Sequence, residues 1–127
     1  MTLYSKGQPI RTFYIALGRS PEGPKEKEGD NKTPEGIYVI DARNINSGYH
    51  KALQISYPNI KDIDRAKELG VSPGGKIMIH GIKNGFGWLG SFHRRRDWTQ
   101  GCIAVTDDEI DEIWDQVAIG TTVEIKP

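Results

Sequence analysis

Short apolar segments separated by turn-forming residues constrain the fold of this chain more than any other feature. The segments are rich in branched or aromatic residues and lie at 12–17, 36–40, 52–56, 76–80 and 121–125. Short apolar runs between glycine, proline and aspartate are typical of strands, because helices usually need about ten residues or more. Residues 19–36, RSPEGPKEKEGDNKTPEG, combine charge with proline and glycine and show no apolar period, which predicts a surface loop.

Two helices are predicted from their end signals. The segment DIDRAKELG, 62–70, stops at Gly70, a residue type that accepts the left-handed backbone found at helix C-termini. In TDDEIDEIWDQV, 106–117, Thr106 and Glu109 have the spacing of a capping box. The apolar side chains of that segment fall on one helical face: Ile110, Ile113, Trp114 and Val117. We therefore predict a mainly β (α+β) fold in which two short helices pack on a mainly antiparallel sheet.

Length and composition set the class of protein. At 127 residues the chain predicts a single domain, 1–127, and its 36% hydrophobic and 27% charged residues are those of an ordinary globular protein. Its 17 basic and 17 acidic residues cancel, so no global field favours nucleic acid or an anionic membrane surface. No apolar run has the length of a signal peptide or of a membrane span. We therefore expect local recognition of a ligand, with neither nucleic acid nor membrane insertion involved.

The segment DWTQGCIAV holds Cys102, the only cysteine of the chain. A lone cysteine cannot form an internal disulfide, so Cys102 is either a small buried apolar residue or a thiol kept for its reactivity. A nucleophilic thiol needs a base, oxyanion donors and a backbone that substrate can approach closely. Gly101 meets the last need, because a residue without Cβ lets the chain turn sharply and leaves nearby amides accessible.

The candidates for the base are His50, His80 and His93. His80 is the strongest, because it ends the apolar run KIMI and precedes Gly81, which places its ring at the rim of the predicted sheet. A hydrogen-bonded structural histidine is the alternative. If His80 is the base, we expect it to lower the pKa of the Cys102 thiol below the free value of about 8.5.

These residues together resemble the signature of the L,D-transpeptidase catalytic domain, also called YkuD: IHG, a long loop, then T-x-G-C followed by an apolar residue. The stretches GPKEKEGDNKTPEGIYVI, ISYPN and PGGKIMIHG extend the resemblance over nearly the whole chain. The resemblance implies a curved, mixed or antiparallel sheet with a short helix packed on each side.

The resemblance also implies roles for individual residues. Cys102 matches the family's nucleophile, His80 its general base, and Gly81 a position whose backbone orients the imidazole. The backbone amides at the cysteine and the glycine before it match the oxyanion hole. The residues that frame the cysteine are Thr99, Gln100 and Gly101.

The chain departs from many members two positions after the cysteine, where it has Ala104 in place of arginine or asparagine. The form DWTxGCIAV resembles the branch that includes enzymes that trim peptidoglycan or detach a lipoprotein from it. The implied reaction is acyl transfer without metal or cofactor, in which the thiolate attacks a peptidoglycan stem peptide and an amine or water resolves the thioester.

The implied partners are peptidoglycan stem peptides, with a lipoprotein or another amine as an acceptor. The implied location is the bacterial cell envelope or periplasm. Because the chain as given shows no signal segment, removal of an upstream segment or delivery as a secreted effector is expected.

The segment 81–98, GIKNGFGWLGSFHRRRDW, is expected to form the wall or lid of the site. Its arginines could pair bidentately with the carboxylates of a stem peptide, and its tryptophans offer apolar contact. For each arginine a solvated turn is the simpler alternative. The expected substrate-binding residues are Trp88, Arg94, Arg95, Arg96 and Trp98.

Three other classes of site compete with this interpretation. A zinc site of Cys102, His80 and His93 has suitable ligand types, but the chain lacks a second cysteine and a short ligand spacing. A non-catalytic wall-binding module with the same fold would not need the cysteine and histidine. A papain-like protease usually has its cysteine before its histidine, whereas here the histidine comes first.

Overall fold

A computed structural model describes residues 1–82 and 97–127, and in these ranges a five-stranded sheet, a separate hairpin and two helices are found. The elements in chain order are β1 Thr2–Ser5, β2 Gln8–Thr12, β3 Gly36–Ser47, β4 His50–Ile55, α1 Ile60–Leu69, β5 Met78–His80, β6 Ile103–Ala104, α2 Asp107–Gln116 and β7 Thr122–Ile125.

The main sheet has the order β6-β5-β4-β3-β7. Its strands pair antiparallel from β7 through β5, and β6 alone pairs parallel, with β5. The hairpin of β1 and β2 forms a second, antiparallel pair. The prediction of a mainly β fold with two helices on a mixed, mainly antiparallel sheet is confirmed.

The core lies between the sheet and α2, which packs against β4 and β5. Ile110 and Ile113 of α2 are buried and belong to the same apolar cluster as Leu53 of β4 and Ile79 of β5. Burying each such side chain stabilises the fold by about 1.5–3 kcal/mol before entropy is subtracted. This packing holds the ends of β5 and β6, where the candidate residues lie.

The helix ends follow the capping signals of the sequence. In α2, Glu109 N–H donates to Thr106 Oγ1 over 3.3 Å, and Thr106 N–H donates to the Glu109 carboxylate over 2.9 Å, so the predicted capping box is confirmed. Gly70 ends α1 with a φ of 68°, as predicted. The start of α1 was placed too late, because its cap is Asn59, which accepts from the backbone of Asp62.

The strand predicted over residues 12–17 is wrong, and the hairpin of β1 and β2 is not among the predicted strands. Residues 13–17 do not continue the ladder of β2, although Ala16 forms an isolated bridge with Ala104. Their apolar pattern reflects burial, since Phe13 and Ala16 are both buried, and burial occurs outside strands as well. Conversely, β1 and β2 were not predicted, because their side chains are almost all exposed and leave no apolar pattern.

In the described residues, no helix combines the length and apolar character needed to cross a bilayer.

The loop over residues 19–36 lies outside the strands up to the start of β3, as predicted. It is not all surface, because the side chains of Lys25 and Thr33 are buried.

Candidate active site

The parallel pairing of β5 with β6 brings the two principal candidates to the same face of the sheet. Ile79 pairs with Ile103, and His80 pairs with Ala104. Cys102 directly precedes β6, and extending the alternation of that strand back two residues from Ala104 places Cys102 on the His80 side. The spacings within and between strands put the Cα atoms of Cys102 and His80 about 8 Å apart. At that separation an imidazole and a thiol can approach each other.

The ring of His80 is held in one orientation and one tautomer. His80 is only 2% exposed, and its Nδ1 lies 2.6 Å from the carbonyl oxygen of Gly81. A carbonyl can only accept, so Nδ1 carries the hydrogen and Nε2 of the neutral ring holds the lone pair. The ring of Tyr49 stacks on the imidazole with centroids 4.3 Å apart, and Trp98 lies 6.1 Å away. The arrangement suits a general base that acts through Nε2.

Gly81 occupies a position with no room for a side chain. A Cβ built there would lie 2.5 Å from Asp107 Oδ1 and 3.1 Å from the carbonyl oxygen of Tyr49. The same carboxylate accepts from the N–H of Ile82 over 2.8 Å, so the first turn of α2 holds the backbone just after His80. This geometry is consistent with the predicted role of Gly81 in orienting the imidazole.

The Cys102 thiol is partly buried and has a hydrogen-bond partner. Its Sγ donates to the carbonyl oxygen of Lys76 over 3.6 Å. Burial raises the pKa of Cys102 above the ordinary value, and a hydrogen bond from the Met78 backbone and the charge of Lys25 only partly offset it. The predicted lowering of the thiol pKa is therefore wrong, because burial outweighs the groups that favour the thiolate. The thiol must leave Lys76 before His80 can accept its proton.

Thr99 and Gly101 shape the turn that precedes the cysteine. Thr99, 3% exposed, donates from Oγ1 to the carbonyl oxygen of Cys102 over 2.6 Å and accepts from Gly101 N–H over 3.1 Å. Gly101 has a φ of 127°, and a Cβ there would lie 2.6 Å from the carbonyl oxygen of Lys32. Both residues therefore frame the cysteine. The Gly101 N–H already donates to Thr99 Oγ1, so it would have to leave this acceptor before it could donate to an oxyanion.

Some of the other predicted site residues lie near Cys102 and His80 in the structure, and the rest lie outside the described residues. Gln100 is exposed at the tip of the turn, and Trp98 is half-buried beside His80 and Tyr49. Ala104 is fully buried beside His80, so the position two after the cysteine faces packed chain. The predicted substrate-binding residues Trp88, Arg94, Arg95 and Arg96, together with His93, lie outside the described residues.

Several residues near the site were not singled out from the sequence. Tyr49, at the turn before β4, stacks on His80. Asp97 accepts the N–H of Leu17 over 2.9 Å, which anchors the start of the cysteine segment to the strand-like stretch before Gly18. A turn tyrosine and a loop aspartate carry no distinctive pattern, and only the chain fold brings them to the site.

A buried ion pair lies in the loop before β3. Lys25 Nζ and Asp30 Oδ1 are 2.8 Å apart, with side chains 4% and 8% exposed. Asp30 also accepts the backbone N–H groups of Glu26, Lys27 and Lys32. Burial raises the pKa of Asp30, but these hydrogen bonds outweigh it and hold the pKa below the ordinary value. The Asp30 carboxylate therefore holds together the backbone of the loop between Glu26 and Lys32.

In residues 1–82 and 97–127, no three His, Cys, Asp or Glu side chains gather into a group that could hold a metal ion. The zinc alternative also required His93, which lies outside those ranges. The chemistry available to the described site is that of a thiol, an imidazole and backbone amides.

Comparison with known proteins identifies the family of this site. YafK of Escherichia coli (strain K12), whose name assigns it provisionally to the L,D-transpeptidases, is 34% identical over 122 residues. These cover 94% of this chain but 42% of YafK, so the chain spans about two fifths of that relative.

Solved structures agree with this assignment. The helical cell shape determining protein Pgp2 from Campylobacter jejuni matches with a TM-score of 0.68 and 28% identity, over 98% of this chain and 43% of Pgp2. An L,D-transpeptidase from Mycobacterium smegmatis matches at 14% identity with a TM-score of 0.63, over 99% of this chain and 53% of that one, which shows a shared fold. The sequence profile of the L,D-transpeptidase catalytic domain (YkuD) matches residues 1–125, and the chain belongs to this family.

Proposed function

We propose that this chain catalyses acyl transfer on peptidoglycan stem peptides, with Cys102 as the nucleophile and His80 as the general base. The observation that carries the proposal is the parallel pairing of β5, which ends at His80, with β6, which begins directly after Cys102. The hydrogen bond from Nδ1 of His80 to the carbonyl oxygen of Gly81 leaves Nε2 as the basic nitrogen. Family membership supports the same substrate class. Action on stem peptides would locate the protein in the bacterial cell envelope.

The proposed first half-reaction forms a thioester. The Cys102 proton passes to Nε2 of His80 while Sγ bonds to the carbonyl carbon of the stem peptide, and the π electron pair moves to oxygen. Collapse of this intermediate breaks the C–N bond, and His80 returns the proton to the leaving amine. Because burial raises the thiol pKa, proton transfer and attack are expected to be concerted, without a resting thiolate.

The proposed second half-reaction releases the acyl group. Water or an amine gives a proton to Nε2 of His80 and bonds to the thioester carbon. The C–S bond then breaks, and His80 returns the proton to sulfur, which restores the thiol and the neutral imidazole. We propose water as the principal acceptor, because the DWTxGCIAV form resembles the trimming and detaching branch and Ala104 provides no polar group for a second peptide. The activity would then be that of an L,D-carboxypeptidase or related hydrolase, with amine transfer as the competing outcome.

A second candidate is a non-catalytic peptidoglycan-binding module with the same fold. It is favoured by the resting geometry, in which the thiol donates a hydrogen bond to the carbonyl oxygen of Lys76 and the Gly101 N–H donates to Thr99 Oγ1. Under this candidate, Cys102→Ala would bind stem peptides as well as the wild type does, and neither protein would alter them.

The experiment that separates these candidates is mass spectrometry of tetrapeptide stems incubated with wild type, Cys102→Ala and His80→Gln. Hydrolysis predicts shortened stems from the wild type and none from either variant. Adding an excess of a free D-amino acid or a second stem tests the acceptor, since exchanged or dimeric products at early times would show that transpeptidation is preferred. Unchanged stems under all conditions, with retained binding, would favour the non-catalytic module.

A further inference from the structure

The Lys25–Asp30 ion pair takes no part in the proposed reaction, yet both of its side chains are more than nine-tenths buried. Lys25 Nζ also donates to the carbonyl oxygen of Lys27 over 3.1 Å. Burying two charges costs several kcal/mol per ion, and a pair this enclosed is weak as a source of stability. Stability alone therefore does not explain why this pair is buried.

The loop that holds this pair packs directly on the cysteine turn. Asp30 Oδ1 accepts from Lys32 N–H over 3.1 Å, and the carbonyl oxygen of Lys32 faces Gly101 so closely that a Cβ there would lie 2.6 Å from it. A change in Asp30 would therefore reach the Cys102 turn through a single backbone segment.

The chain at Gly18 also contacts both the loop of the ion pair and the cysteine turn. Lys25 N–H donates to the carbonyl oxygen of Thr33 over 3.3 Å, and Thr33 Oγ1 accepts from Gly18 N–H over 3.1 Å. A Cβ on Gly18 would overlap the carbonyl oxygen of Asn31 and would lie 3.2 Å from the Cα of Gly101. The loop of the ion pair, the chain at Gly18 and the cysteine turn thus form one close-packed unit.

We propose that Lys25 and Asp30 are positioning residues for the nucleophile, which set both the place of the Cys102 turn and the charge that the thiol experiences. Lys25 favours the thiolate, and Asp30 offsets that charge while it holds the loop against Gly101. The proposal rests on the proposed role of Cys102 as the nucleophile.

The electrostatics agree with this geometry. Burial raises the pKa of Cys102, and the charge of Lys25 is among the groups that lower it. Other charged or titratable residues also lie on the segments packed against this turn. His80 shares its face, the backbones of Lys76 and Lys32 contact it, Arg19 Nε donates to the carbonyl oxygen of Trp98 over 3.2 Å, and Asp97 accepts from Leu17 N–H at the start of the cysteine segment. Lys32, Lys76 and Arg19 carry the same sign as Lys25, and Asp30 and Asp97 carry the opposite sign.

The test is the pH profile of Cys102 alkylation by iodoacetamide in Lys25→Met, Asp30→Asn and the double variant. Lys25→Met removes the cation and leaves a nearby carboxylate, so the midpoint of the alkylation profile should rise by up to about 1 pH unit. Asp30→Asn should lower the midpoint by a similar amount, and the double variant should fall between the two.

Opposite shifts distinguish positioning by charge from a purely structural role, which would move both single variants in the same direction or move neither. Matched controls are Lys61→Met and Asp64→Asn, the same charge changes on α1 outside this packed unit, and they should leave the midpoint within about 0.2 pH unit of the wild type. Circular dichroism first establishes which variants fold; either single variant that folds has a predicted sign relative to wild type, and the double variant has a predicted midpoint between those of the two single variants. A shift of the wrong sign, or none, overturns the proposal.

Alkylation needs no stem peptide, so this result is separable from the proposed function. Opposite midpoint shifts with no turnover of stems would support the role of the ion pair while refuting the enzyme. Turnover of stems by the wild type with unshifted midpoints would support the enzyme and refute the role of the ion pair.

Discussion

Replacing Gly101 by alanine should damage both the stability of the fold and the reactivity of Cys102. The φ of 127° at Gly101 belongs to a region that residues with a Cβ rarely adopt. The added Cβ would also lie 2.6 Å from the carbonyl oxygen of Lys32 and 3.2 Å from Ile77 Cδ1. The first contact is with backbone, which cannot rotate away as a flexible side chain could.

The magnitude follows from two contributions. Backbone strain of this kind costs about 1–3 kcal/mol, and relieving the clash costs about 1–3 kcal/mol more by displacing the loop that holds Lys32. We therefore expect Gly101→Ala to lower the free energy of unfolding by about 2–6 kcal/mol, measured by urea denaturation. Alkylation of Cys102 in the folded variant should change in rate, because the turn before the thiol has moved.

Gly7→Ala is the matched control. Gly7 has a φ of 78°, but no atom lies within 4 Å of the position that a Cβ would occupy. Its substitution therefore introduces backbone strain without a clash, at a cost of about 1–2 kcal/mol. If Gly101→Ala were no more destabilising than Gly7→Ala and alkylated at the wild-type rate, the close packing of Lys32 on Gly101 would be refuted.

Three further predictions concern the supports of the site. Thr99→Val should lower the free energy of unfolding by about 1–3 kcal/mol, since it removes both hydrogen bonds of Oγ1, whereas Thr99→Ser should retain most of it in the same urea assay. Ile110→Ala should cost about 2–5 kcal/mol by opening a cavity under α2, and an unchanged urea midpoint would contradict the described packing. Because the folded-state pKa of Asp30 is depressed, its stabilisation is present above the unfolded value of about 3.9 and is lost as the pH falls through the folded value. Asp30→Asn should therefore flatten the loss of stability below about pH 4, and an identical acid profile would contradict this account.

Much of the fold was predictable because its strongest signals are local. The capping box of Thr106 and Glu109 and the stop at Gly70 depend on residues a few positions apart, and both are present in the structure. The exposed hairpin of β1 and β2 left no apolar pattern to find. The two-residue strand β6 is too short to show one, although it determines where Cys102 lies.

The site was predictable as a set of residues but not as an arrangement. The sequence indicated Cys102 and His80 through their glycine neighbours and their resemblance to a known signature. It could not show that the thiol is partly buried and hydrogen-bonded to the carbonyl oxygen of Lys76, because that contact depends on how the chain before β5 packs on the cysteine turn. The Lys25–Asp30 pair was hidden for the same reason, since a charged loop ordinarily predicts solvent exposure and the burial of these two side chains arises from tertiary packing.

The central claim is that Cys102 forms a thioester with the acyl group of a stem peptide. Intact-mass measurement of the protein, quenched with acid soon after mixing with a tetrapeptide stem, tests it most directly. The account predicts an adduct with the mass of the acyl portion, mapped by peptide digestion to Cys102 and absent from Cys102→Ala. An adduct that persists in Cys102→Ala, or stem cleavage by that variant at the wild-type rate, would contradict it.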